Sequence, residues 1–193
     1  MSFFDAAYRG IPPWDIGRPQ REFVKLEESG AVVGDVLDVG CGTGENSIFL
    51  ASKGHRVLGV DLSETAIEKA KAKSGEHHVR AEFMVWNAVR LRELKMQFDT
   101  CIDCGLFHTF SDEDRVPYRE GLRSVLKPGG RFFMLVFSNE EPLDWGGPRR
   151  VTEREIRDTF AKGWKINSIE KASFESQLHE DGGKAWLSAI TRL

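Results

Sequence analysis

Residues 36 to 45 read Val36-Leu37-Asp38-Val39-Gly40-Cys41-Gly42-Thr43-Gly44-Glu45. An apolar strand runs straight into three glycines on alternate positions, and an amphipathic stretch from Asn46 to Lys53 follows. Glycine lets a backbone turn with positive φ and lets a ligand press against it without a Cβ in the way. Strand, glycine turn and helix start together form the nucleotide-binding corner of an open α/β sheet. The spacing is G-x-G-x-G, not the G-x-G-x-x-G that seats a pyrophosphate on a helix N-terminus. Asp38 stands before the glycines, which suits a ligand with a cationic ammonium group better than one with phosphates.

A second anchor follows. His55 to Val60 reads as the next strand and ends at Asp61, about twenty residues past the glycines, where an acid can take both ribose hydroxyls. The helix after it starts cleanly, with Ser63 as N-cap and Glu64 in the first turn. These residues point to an adenosine-bearing ligand and leave open which one.

The 193-residue chain suits one domain able to bury its own core. A net charge of −3 gives no bulk attraction for nucleic acid or an anionic membrane. No apolar run approaches the ~18 residues that span a bilayer, and no signal-peptide pattern opens the chain. Three cysteines make no disulfide framework. The expectation is a cytoplasmic protein, monomer or homodimer, without nucleic-acid or membrane partners. Cys101-Ile102-Asp103-Cys104 is formally a C-x-x-C. On a strand its two side chains point to opposite faces, which argues against a redox pair or metal clip. Cys41 supplies a small residue inside the turn, and no cluster has metal-ligand spacing.

The remaining pattern alternates strand and helix. A helix is predicted from about Ser63 to Lys73, then strands over Ala81–Trp86 and Phe98–Cys104. A helix from about Glu113 to Leu126 is stopped by Lys127-Pro128-Gly129-Gly130, and a wholly apolar strand, Arg131–Phe137, suits a central position. A thirteen-residue loop, Ser138 to Arg150, comes next. Thr152 and Glu155 then form a capping box. Trp164–Phe174 and Ala185–Arg192 are predicted as closing strands turning at Gly182-Gly183. The implied fold is a Rossmann-like, doubly wound, mostly parallel seven-stranded sheet with helices on both faces and an antiparallel last strand. Within it, 1–33 forms a lid and helix, 34–137 the cofactor-binding core, and 138–193 the acceptor loop and closing strands. Ligands in such sheets bind at the carboxyl ends of the strands, where Asp38 to Gly44, Asp61, Asn87 and Cys104-Gly105 all fall.

These motifs, from Val36 to Phe137, resemble the class I S-adenosylmethionine-dependent methyltransferases. The resemblance implies that the glycine loop (Asp38, Gly40, Cys41, Gly42, Gly44) takes the methionine part and Asp61 the ribose. It places Leu62 on the adenine, with Trp86, Asn87 and Ala88 at the adenine edge and the Cys104-Gly105 backbone on the methionine ammonium. Asn87 stands where the family usually has Asp. Pro12-Pro13-Trp14-Asp15-Ile16-Gly17-Arg18-Pro19 is similar to the amino-terminal segment of thiopurine and halide/thiol methyltransferases, where a Trp-x-x-Gly-basic motif folds over the cofactor. Phe98-Asp99, Asp103-Cys104-Gly105-Leu106 and Gly146-Gly147-Pro148 resemble further motifs of that group. The implied reaction is methyl transfer from S-adenosylmethionine, leaving S-adenosylhomocysteine, to a thiol or other soft nucleophile. The alternatives are O- or N-methylation of a natural product or metabolite, and a non-catalytic cofactor-binding module.

Trp14 is then a lid aromatic, and Arg18 a partner for the methionine carboxylate or an anionic acceptor. His108 is a candidate general base or acceptor-pocket wall. Phe107, Trp145 and Arg149 are candidate acceptor contacts, the last two on the long loop where function concentrates. Asp103 faces either the cofactor ammonium or its own local backbone.

Overall fold

A computed structural model describes residues 3–193, the side chains of His179 and Glu180 aside. The first two residues of the expected lid lie outside that range. Seven strands form one sheet in the order β3-β2-β1-β4-β5-β7-β6. They are β1 (Val36–Val39), β2 (Val57–Asp61), β3 (Glu82–Val85), β4 (Phe98–Cys104), β5 (Leu126–Phe137), β6 (Trp164–Ser176) and β7 (His179–Arg192). The pairs among β1 to β5 are parallel, whereas β7 runs antiparallel to both β5 and β6.

Both faces are covered, and the strand residues divide accordingly. Leu37, Cys101, Phe132 and Met134 join one buried cluster with Tyr118 and Leu122 of α5 (Asp112–Val125). Val36, Ile102, Phe133 and Leu135 join a second cluster with Phe23 of α2 (Arg21–Glu28) and Leu50 of α3 (Glu45–Ser52). Alternate residues thus bury on opposite sides, as period-two geometry requires of a strand covered twice. Cys101 and Cys104 fall on different clusters for the same reason. Ile67 and Ala70 of α4 (Glu64–Glu76) pack with Ile48 and Phe83. Ser63 caps α4 through its side chain, and Thr152 and Glu155 form the full capping box on α6 (Glu153–Thr159).

Two boundaries differ from the sequence reading. Lys127-Pro128-Gly129-Gly130 does not separate helix from strand but belongs to β5, which starts at Leu126 opposite Phe98. The register slips there, Gly129 takes φ +77°, and Lys127 Nζ grips Asp99 at 2.8 Å. The β6–β7 turn lies at Gln177-Leu178 rather than at Gly182-Gly183. The two glycines sit inside β7, where pairing shifts between Phe174↔Gly183 and Ser176↔His179. A Cβ on Gly183 would come 2.5 Å from the Phe137 ring, so these glycines serve a bulge and a close approach.

Candidate active site

β1 and β4 are neighbours from which the strand order runs in opposite directions, and at this switch point the crevice opens. A cavity of about 980 Å³ lies over the carboxyl ends of the strands. Its floor is the glycine turn. Gly40 and Gly42 take φ +73° and +54°. A Cβ on Gly40 would collide with Leu106, and one on Gly42 would meet Tyr8 Oη at 2.6 Å. This is a cradle that side chains would fill.

Asp61 closes β2 beside the loop. Its Oδ2 accepts from Gly42 N–H at 2.9 Å and its Oδ1 from Ser63 N–H at 2.8 Å. Burial pushes its carboxyl above the ordinary range. Asp38 lies beneath the floor, 1% exposed, with Ser47 Oγ donating to Oδ2 at 2.7 Å and no partner for Oδ1. Desolvation, helped by the charges of Asp103 and Asp61, pushes it up to about 7. An orphaned, fully buried carboxylate oxygen under a glycine cradle fits a ligand bearing an ammonium group.

The lining takes in Trp14, Arg18, Gly40, Cys41, Gly42, Asp61, Leu62, Trp86, Asn87, Ala88, Cys104, Gly105, His108, Trp145 and Arg149, as the sequence suggested. Three expected residues are not part of it. Asp38 lies below the loop, off the cavity surface, with Oδ1 unpartnered. Gly44 begins α3 at φ +85°, its Cβ position facing Phe83 and Ala70 and not the cavity. Phe107 is a core residue: wholly buried, it packs on Tyr118 and Phe160 with the Arg115 guanidinium 4.2 Å above its ring. Asp103 is likewise structural. It accepts from Leu106 and Phe107 N–H and from the Tyr118 hydroxyl at 2.6 Å.

His108 is placed where expected but in an unexpected state. Its ring is 5.3 Å from Phe137 and 10° from parallel, and Nδ1 accepts the Phe137 backbone N–H at 3.2 Å. Burial, then the charges of Arg150 and Arg115, push its pKa down to about 3. A base must hold a proton after taking it, so burial leaves this imidazole neutral at neutral pH and only weakly basic.

The long loop folds around a residue the sequence reading passed over. Arg150 donates to Pro142 O at 2.7 Å and Gly146 O at 2.9 Å, and stacks 4.1 Å from the Trp145 ring. Trp145 Nε1 donates to Glu141 at 2.9 Å, and Arg149 pairs with Asp112 and Glu155. Tyr8, Phe110, Phe137 and Phe174 also face the cavity. Phe137 ends a central strand and was legible by that position. The others carry no local signal.

An amino-terminal segment covers this crevice. Trp14 Nε1 donates to Tyr8 Oη at 2.9 Å, while Asp5 of α1 (Phe3–Ala7) accepts from Ser63 Oγ at 2.9 Å. Lys69 Nζ holds Tyr8 O at 2.6 Å. Arg18 stands at the rim, paired with Glu175 at 2.9 Å.

This sheet order, the glycine cradle and the acid at the end of β2 define a class I methyltransferase. Residues 36–130 match the family model described as a methyltransferase domain. The chain is 36% identical over 195 residues to a 2-heptyl-1-hydroxyquinolin-4(1H)-one methyltransferase of Mycobacteroides abscessus, covering 95% of this chain and 86% of that one. It is 32% identical to thiocyanate methyltransferase 1 of Brassica oleracea, over 84% of this chain and 73% of that. A structure titled for conversion of a disulfide bond into a thioacetal group during echinomycin biosynthesis superposes with TM-score 0.88. It is 36% identical, with 98% and 91% of the two chains covered. The chain belongs to the class I S-adenosylmethionine-dependent methyltransferase family, and it is an enzyme that methylates with S-adenosylmethionine. Among the described residues, no helix is long and apolar enough to cross a membrane.

Proposed function

We infer that the enzyme methylates a small, apolar, ring-bearing acceptor that arrives as a soft or anionic nucleophile. A thiolate comes first and an acidic hydroxyl oxygen second. The aromatic end of the cavity carries this reading. Phe110, Phe137, Phe174 and Trp145 wall it, and in the described stretches 108–111 and 145–149 the ionisable side chains lining it are His108 and Arg149. Neither takes up a proton at neutral pH, since His108 is pushed down to about 3 and Arg149 is a paired guanidinium.

Bound S-adenosylmethionine supplies a methyl group already activated on a sulfonium. The protein is left to place the acceptor in line and keep water out. In this reading the Gly40–Gly42 backbone and Cys104-Gly105 hold the methionine part, with Asp38 beneath for the ammonium. Asp61 takes the ribose, Leu62 covers the adenine, and Trp86, Asn87 and Ala88 line its edge. Trp14 closes over the cofactor, Arg18 guards the rim, and Trp145 and Arg149 meet the acceptor. The hydroxyl reading is kept because the Mycobacteroides relative is named for a hydroxyquinolone substrate. The thiol reading draws on the thiocyanate methyltransferase likeness. All three cysteines are unpaired, which suits a reducing compartment, so we place the enzyme in the cytoplasm, acting as a monomer or homodimer on a small molecule.

The test is a labelled-methyl screen over thiols, sulfide, halides, phenols and amines, followed by pH profiles of kcat/KM. The inflection should sit at the acceptor's own pKa and move with it when a more acidic thiol is used. A profile that ignores the acceptor's acidity and collapses in His108→Asn would overturn the reading.

A further inference from the structure

His108 lines the cavity, and its surroundings define which ring nitrogen carries the proton. Nδ1 accepts the Phe137 N–H, so in a neutral ring the single proton sits on Nε2. The ring has little freedom to turn over. Phe137 stacks on it, Phe174 lies 5.8 Å away, and a Cβ on Gly105 would come 3.3 Å from its Cε1. Nε2 makes no hydrogen bond to any described residue, although His108 lines the cavity.

We propose that His108 is a fixed N–H donor to the methyl acceptor, selecting aromatic or heteroaromatic oxyanions and thiolates over neutral rings of the same shape. This rests on the small-molecule methyl-transfer reading and deepens it by naming what the acceptor must carry. An anion entering a box of aromatic rings loses its hydration, and one directed N–H restores part of it. An anionic oxygen or sulfur has several lone pairs. One accepts from Nε2–H while another is aimed at the methyl carbon.

The charges around the ring agree with this. Arg115 lies behind Phe107, bonded to Glu155 at 3.1 Å and 3.8 Å from Asp112. Arg150 lies 5.3 Å from the Phe137 ring, with Glu141 and Asp144 acting on it from its own loop. The two guanidiniums disfavour a third positive charge on His108, and the same field favours a negative charge before it. In the transfer, an acceptor lone pair forms the new bond to the methyl carbon as the carbon–sulfonium bond breaks. That bonding pair stays on the cofactor sulfur, and the acceptor's negative charge and the sulfonium charge cancel. No proton moves, and His108 keeps its own throughout.

The experiment uses the full chain saturated with S-adenosylhomocysteine, with 4-nitrothiophenolate and 4-nitrotoluene as probes. Imidazole nitrogen NMR should show the proton on Nε2, and that proton's resonance should shift when the thiolate is added. Calorimetry should show the thiolate bound at least about tenfold tighter than the neutral ring. His108→Phe, which keeps a stacked ring, should retain 4-nitrotoluene binding and lose the preference. A proton on Nδ1, no preference in the wild type, or a preference intact in His108→Phe overturns the proposal. The NMR measurement needs no variant, so it stands even where the substitution unfolds the protein. Failure of the wider reading looks different: no acceptor of any class receives labelled methyl. This proposal fails instead when transfer occurs without regard to His108.

Discussion

The hydroxyl of Tyr8 occupies the space that a side chain at Gly42 would need, 2.6 Å from the position of its Cβ. The glycine turn and the amino-terminal segment are therefore fitted to one another across 34 positions of sequence, a contact that Trp14 reinforces by donating to the same hydroxyl.

Gly42→Ala must adopt φ +54° and displace Tyr8 at once. The backbone alone costs about 1–2 kcal/mol for an L side chain in the left-handed region. The expected result is a lower Tm together with S-adenosylhomocysteine binding weakened by about tenfold or more. Thermal scans and calorimetry read the two effects separately, and an unchanged affinity would show that the turn does not hold the cofactor.

Asp38→Asn should stabilise the ligand-free protein while weakening its hold on the cofactor. The folded carboxyl is raised from 3.8 to about 7, chiefly by burial. A group raised on folding contributes stability that is full below pH 3.8 and lost as pH rises through 7, here about 4 kcal/mol at most. The variant should melt above the wild type at pH 8, with the gap closing toward pH 4. His108, lowered to about 3, drives the opposite trend below its unfolded value of 6.5, but it is present in both proteins and cancels. A variant no more stable at pH 8 would show that the carboxylate is already compensated.

Arg150→Ala should act on the acceptor and spare the cofactor. The guanidinium ties together three carbonyls of its loop, those of Pro142, Gly146 and Pro148, and supports the Trp145 ring. Its loss removes charged hydrogen bonds worth about 1.5–3 kcal/mol each in a buried setting. Acceptor KM should rise by about tenfold with S-adenosylhomocysteine affinity within about twofold of wild type. Equal losses on both sides would mean that the loop also shapes the cofactor site.

The amino-terminal segment is expected to close further over bound cofactor. Arg9 and Arg18 are exposed on either side of Trp14. Tryptic cutting after Arg9 should slow on adding S-adenosylhomocysteine; Arg18 precedes Pro19 and is not cut by trypsin. Identical rates with and without it would remove the lid.

Much of the site was legible because its signals are local. Three alternate glycines after an apolar strand need a turn that few other residues can make, and the acid ending the next strand lies at a spacing the βα unit sets. Alternating strands with both faces apolar imply a doubly covered sheet, and the sheet in turn places those strand ends on one crevice. The neighbours Phe107 and His108 mark where this stops. Both follow β4 in one apolar run, yet the short turn over Phe107–Thr109 sends one into the α5 core and the other to the cavity wall. The tautomer of His108 depends on a backbone N–H 29 residues away, and its lowered pKa on burial and on Arg150 and Arg115. Tyr8 reaches the glycine turn only because Asp5 and Lys69 pin its segment to α4. Backbone preferences are written in neighbouring residues, so the sequence determined the ligand class and the sheet. The facing, protonation and partners of side chains come from atoms brought together across the chain, so only the tertiary structure decided what the acceptor meets.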